Sequence, residues 1–238
     1  MDKKPNLRDS LIGYFSLLAK LLSFRASRFE LLADNAKYLY FGLLTTWLVG
    51  VGRFWENTSA PFYLHLGVGS VIYVPILAGL LFWIVRPFKP DDWTYRRVLT
   101  FVAMTSPPGL LYAIPIQMLW GVERANLIHL EFLSIVAAWR VALLFFFLGR
   151  FAKLNWLIRS ICSLLPLTAI ITGLTVLNLE KVVFNFMSGI PPEARSANDA
   201  SYGILFNLSL LSILLIVPLL LIYIGSIIYV NKQRRQKF

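Results

Sequence analysis

Few residues in this chain are of a type that could do chemistry, and most of those few sit inside apolar sequence. Arg140 lies near the middle of one apolar stretch. A charge there costs at least about 2.5–3.5 kcal/mol on insertion scales, so it marks either a substrate or ion contact or a structural need. Glu131 is the nearest acid in sequence. Nine residues is about 900° of helix, which sets Glu131 on the opposite face and leaves no pair within the helix. Glu131 instead shares a stripe with Ser134, Ala138 and Ala142. Arg140 is left to cap the loose carbonyls of the proline-broken third span or to snorkel toward the cytoplasm.

The second candidate is the run Thr105-Ser106-Pro107-Pro108, followed by Pro115. Each proline removes a backbone donor and clashes with the carbonyl one turn earlier. The carbonyls of Ala103, Met104 and Leu111 then need partners from Thr105 or Ser106, from water or from another helix. Such a break is either a structural kink or a hinge of the kind that lines transport sites. Other candidates are weaker. His65 and Ser70 are about 500° apart on a helix and face away from each other, so no hydrolase pair forms. His129 has no second ligand at metal spacing. No phosphate loop, dinucleotide fingerprint or zinc motif is present. The expectation is a non-enzymatic chain without a cofactor.

The elements that must position these residues follow from composition. The chain has 238 residues, 58% hydrophobic and 15% charged. Soluble domains run at about 45–50% apolar and about 25% charged, so this is a polytopic membrane protein. Six stretches are long enough, or nearly so, to cross a core of about 30 Å: Ala36–Trp55, Tyr63–Val85, Val98–Trp120, His129–Leu148, Leu157–Leu179 and Tyr202–Val230. In hydrocarbon each must be a helix, because no water satisfies the backbone. The expected fold is all-α: a six-span transmembrane helical bundle over 36–231, behind an N-terminal amphipathic helix in 1–35 and ahead of a basic tail, 232–238. The lone Cys162 reads as a small buried hydrophobe. Small residues at four-residue spacing (Gly42/Thr46/Gly50, Thr105/Gly109/Ala113, Ser134/Ala138/Ala142 and Ala169/Gly173) let helices approach, preferably inside the bundle, with a homo-oligomer contact as the alternative.

The net charge of +11 would suggest nucleic acid on a soluble chain; here its distribution sets topology instead. With both termini cytoplasmic, only Arg53, Arg124, Lys181 and Arg195 fall outside and Arg140 within a span; every other Lys and Arg is inside. The longest polar connection, Glu180–Ser201, then lies outside. Ahead of the first span, Leu7, Leu11, Tyr14, Phe15, Leu18, Leu21, Leu22, Phe29 and Leu32 share one helix face, with Asn6 as a cap. Lys20, Arg25 and Arg28 suit an anionic cytoplasmic leaflet, so this helix lies in the membrane plane, packs under the bundle or binds a separate partner. A bacterial inner membrane is the expected address, because short loops and a plain basic tail suffice there.

A short basic loop leading into Tyr95-Arg-Arg-Val-Leu-Thr-Phe-Val-Ala-Met-Thr-Ser-Pro-Pro-Gly-Leu-Leu resembles the proline-bearing central span of Yip-domain membrane proteins. Trp139 and Ala142 ahead of Phe147-Leu148-Gly149-Arg150 are similar to the span that follows. The resemblance covers roughly residues 90–180 and implies a non-enzymatic multispan protein. Two functions remain open: a scaffold or membrane-organising protein with the lipid bilayer and a membrane-protein partner or a second copy of itself, or a small transporter or channel using the broken third span and Arg140.

Overall fold

The structure, a computed structural model, describes residues 7–32, 36–52, 62, 66–116, 122–179 and 200–236. Asn6, Arg53, His65, Lys181 and Arg195 lie outside these residues, as do positions 180–199 of the long loop; the side chains of Arg124 and His129 are likewise not described. The described residues are all-helical. Helix α1 spans Leu7–Leu22, α2 Arg28–Leu32, α3 Ala36–Gly52 and α4 Val68–Val85. Then come α5, Tyr95–Met104, a 3₁₀ segment Pro107–Ala113, α6, Val122–Arg150, α7, Trp156–Val176, and α8, Ala200–Arg235.

Among the described residues four helices are long and apolar enough to cross a membrane: Val68–Phe88, Glu131–Arg150, Trp156–Val176 and Gly203–Arg235. Helix α3 is shorter, at 17 residues. The third apolar stretch is broken. Helix α5 stops at Met104 because Pro107 and Pro108 have no N–H and their rings exclude the helical positions of the carbonyls of Ala103 and Met104. By contrast, Pro75, Pro166 and Pro218 sit inside α4, α7 and α8 without ending them. Helix α8 runs 36 residues, about 54 Å, well past a bilayer core of about 30 Å. It carries Lys232, Arg234 and Arg235 in its last turn, so the basic tail is helical as far as Arg235.

Helices start and stop where side chains can replace missing helical partners. Thr94 accepts from the Arg97 amide at the start of α5, and Asn155 accepts from the Ile158 amide at the start of α7. Ser27 and Glu30 form a reciprocal capping box on α2. Helix α1 ends with Phe24 in the left-handed region (φ 60°), its amide donating to the Leu21 carbonyl and that of Arg25 to Lys20.

The buried core joins α1, α4, α5, α6 and α7 through Tyr14, Leu21, Val74, Val85, Val98, Phe101, Phe147, Phe151 and Cys162. Phe147 stacks between Phe101, 4.0 Å away, and Phe151, 4.9 Å away. Helix α8 packs chiefly on α7 and presents most of its length outward. That suits a helix bathed in hydrocarbon, where an outward Leu carries no penalty.

Candidate functional site

Around the break, α3 and the third segment run side by side in the same direction. A Cβ on Gly42 would meet Ala103, one on Gly109 would meet Val49, and one on Gly52 would meet Ala113. Midway along this seam the Thr46 and Ser106 hydroxyls lie 2.7 Å apart, and Thr46 also donates to the Gly42 carbonyl at 2.8 Å. The Ala103 carbonyl accepts from the Ser106 amide at 3.3 Å and from Thr46 Oγ1 at 3.4 Å. The Leu111 carbonyl accepts from the Ile114 amide. Thr105 donates its hydroxyl to the Val102 carbonyl at 2.8 Å. Residues Phe101 to Ser106 are all buried. The carbonyls of Ala103 and Leu111 are therefore answered within a buried seam, and the seam's hydroxyls are committed to backbone and to each other. Thr46 is the partner that sequence reading missed. Its only signal was its place in the Gly42/Thr46/Gly50 stripe, read there as close packing alone.

Pro107, Pro108 and Pro115 are partly buried and follow the same wall. The structure does not bring Arg140 or Glu131 to Thr46 or Ser106 by any described hydrogen bond or ion pair. Arg140 is partly buried and lies on one stripe with the buried Val136, Leu143 and Phe147. Among the described residues it has no hydrogen-bond or ion-pair partner. Glu131 is exposed, as are Ser134, Ala138 and Ala142. This last stripe therefore faces outward, contrary to the expected internal packing. A Cβ on Gly173 likewise meets nothing within 4 Å. The reason is that small side chains permit close approach without requiring it.

A second set of polar contacts gathers at one end of the molecule. Arg28 reaches Asp91 and Asp92 at 3.9 and 3.8 Å, and Arg97 reaches Asp92 at 3.4 Å. Arg234 donates to the carbonyls of Phe88 and Lys89, and Tyr223 donates to that of Ile84 at 2.7 Å. Trp93 packs on Phe147 and Phe151 and donates to the Phe82 carbonyl. The loop between α4 and α5 thus holds the N-terminal segment, the C-terminal helix and the core aromatics together. Arg25 is exposed, whereas Lys20 pairs with Glu30 and Arg28 with the loop acids. Beside this cluster, between α1, α5 and α6, a cleft of about 20 Å³ is lined by Glu30, Arg97, Thr100, Phe101, Met104 and Phe147. It has room for a single water.

The Lys20 ammonium, with the Ser27 amide and hydroxyl, holds the Glu30 carboxyl down at about 2, against an ordinary 4.5. A lowered acid stabilises the fold above its ordinary value and loses that contribution as pH falls toward the lowered one. A spin label on Ser23 is therefore expected to keep the same mobility from neutral pH down to 4.5, then loosen as pH approaches about 2. Glu30→Gln removes the acid step. The effect is small, because both side chains are largely in water.

Comparison with known protein families, curated proteins and solved structures finds no match. Among the described residues no group of three His, Cys, Asp or Glu side chains could hold a metal ion.

Proposed function

We propose that this chain is a non-enzymatic integral membrane protein of scaffold or membrane-organising type, Yip-like in its centre. It crosses a bacterial inner membrane six times with both termini in the cytoplasm. Helix α3 and the broken third segment serve as two of the six crossings: they run in the same direction, with α4 returning between them. The cytoplasmic end is the basic one, where Arg28, Arg97 and Arg234 meet the loop after α4, in keeping with the placement of Lys and Arg on inner loops. Its partners are the bilayer, with anionic lipids at that face, and a second membrane protein or copy.

The observation that carries the non-transporting reading is the buried Thr46–Ser106 contact. A transport site at a broken helix needs backbone and hydroxyl groups free to replace a solute's water. Here those groups face each other 2.7 Å apart. Liposomes holding the full chain are expected to leak ions and small solutes no faster than empty liposomes. Cysteines at Lys4, Lys89 and Lys153 are expected to react from the same side, as they do only if α3 and the third segment both cross. Saturable flux, or labelling from opposite sides, would sink this reading. The competing reading, a small transporter, draws on Arg140, which is partly buried without a described partner. It gains the field only if flux is found and Arg140→Met abolishes it.

A further inference from the structure

Helix α1 is apolar on two sides. One side, Tyr14, Leu17, Leu18 and Leu21, is buried against the bundle. Its rotation is set at three points. Tyr14 Oη and Thr45 Oγ1 lie 3.1 Å apart, the Trp139 indole donates to the Leu22 carbonyl at 3.1 Å, and Phe24 packs edge-on against Phe146. With the helix so held, Ile12 and Phe15 point away from the bundle, 59% and 61% exposed. Nine residues separate Ile12 from the fully buried Leu21, about half a turn round the helix. The amphipathic pattern in the sequence placed Phe15 with the buried face; the docked helix turns it outward.

We propose that this outer face lies in the anionic interface of the cytoplasmic leaflet, with Ile12 and Phe15 among the acyl chains. The proposal rests on the six-span reading above, which sets α1 beside the membrane rather than free in water. Two observations favour lipid over a protein partner. Charge is one: Arg25 is exposed beside α1, at an end of the molecule rich in basic side chains, and anionic headgroups complement it. The other is continuity: α1 docks on α3 and α6, whose own outer residues Tyr40, Leu44 and Ile135 are exposed and apolar.

The test uses the full chain in vesicles, with an environment-sensitive dye on Ile12→Cys or Phe15→Cys, and on Lys153→Cys as the water-exposed control. Cys162 is buried and stays in place. In phosphatidylglycerol-containing vesicles, dyes at 12 and 15 are expected to emit blue-shifted and to be quenched by acyl-chain nitroxides about 5–10 Å below the headgroups. The dye at 153 is expected to remain water-like, and protection at 12 and 15 should weaken in pure phosphatidylcholine or with Arg25→Gln. Water-like emission at 12 and 15 in both membranes overturns the proposal, and so does self-quenching between two copies at those positions. Dyes at Lys4, Lys89 and Lys153 report topology independently, because all three share a side only if α3 and the third segment both cross. If they lie on one side while 12 and 15 are wet, only this inference fails; if they lie on opposite sides, the six-span reading fails.

Discussion

Replacing Gly42 with leucine is expected to prevent the bundle from closing. A Cβ at this position would sit 2.9 Å from the Ala103 Cβ, 3.2 Å from the Ala103 carbonyl carbon and 3.3 Å from the Met104 amide nitrogen. Two of those atoms are backbone and cannot rotate away. Ordinary overpacking costs about 1–3 kcal/mol, and leucine adds three further carbons to the clash, so the cost lies at or above that range. The damage also spreads, because forcing α3 off the third segment separates Thr46 from Ser106 and leaves the Ala103 carbonyl with one partner fewer. Thr46→Val at the same seam is milder, on the order of 1 kcal/mol, since the hydroxyl's contacts to Ser106, Gly42 and Ala103 are lost but the packing stays. Gly173→Leu is the control, because nothing lies within 4 Å of its Cβ. The measurement is the yield of monodisperse protein after detergent extraction: nearly abolished for Gly42→Leu, little changed for Thr46→Val and Gly173→Leu. Normal yield for Gly42→Leu would mean that α3 and the third segment do not pack as described.

What could be read in the sequence here was whatever is encoded locally along the chain. Apolar length locates α4, α6, α7 and α8, since burying backbone in hydrocarbon demands about 20 residues of helix wherever a chain crosses. Pro107 and Pro108 mark the break at Met104, because a missing N–H acts on its own helix. Which face meets which neighbour is a different matter. In lipid a leucine gains little by turning inward, so the hydrophobic pattern does not separate a packed face from a lipid face. Ser134, Ala138 and Ala142 accordingly face outward while the similar Gly42, Thr46 and Gly50 are buried. The same ambiguity hid the two-sided character of α1. Long-range polar ties were equally out of reach. Nothing local links Arg28 to Asp92 or Arg234 to Phe88, whose meeting depends on where three separate helices end.

Arg140→Leu is expected to leave the protein intact and to make it more stable. Arg140 stands ten residues before Arg150, about 15 Å along the helix and thus near the middle of a core of about 30 Å. It shares its stripe with Val136, Leu143 and Phe147, all buried, so it faces the packed side of α6 rather than lipid. No acid or carbonyl among the described residues answers it. Glu131 cannot, since it is exposed and lies on the opposite face. A charge so placed costs about 2.5–3.5 kcal/mol on insertion scales, and leucine removes that cost while filling a similar volume of apolar surroundings. The expected change in unfolding free energy, measured in bicelles, is a gain smaller than that insertion cost, because the opened helix stays in the bilayer, with no gain for Arg140→Lys, which keeps the charge. Loss of the protein on Arg140→Leu would show that the guanidinium holds the fold together. A more stable protein that fails in the cell would show the reverse, because a chain keeps a destabilising charge in its core only where that charge is used.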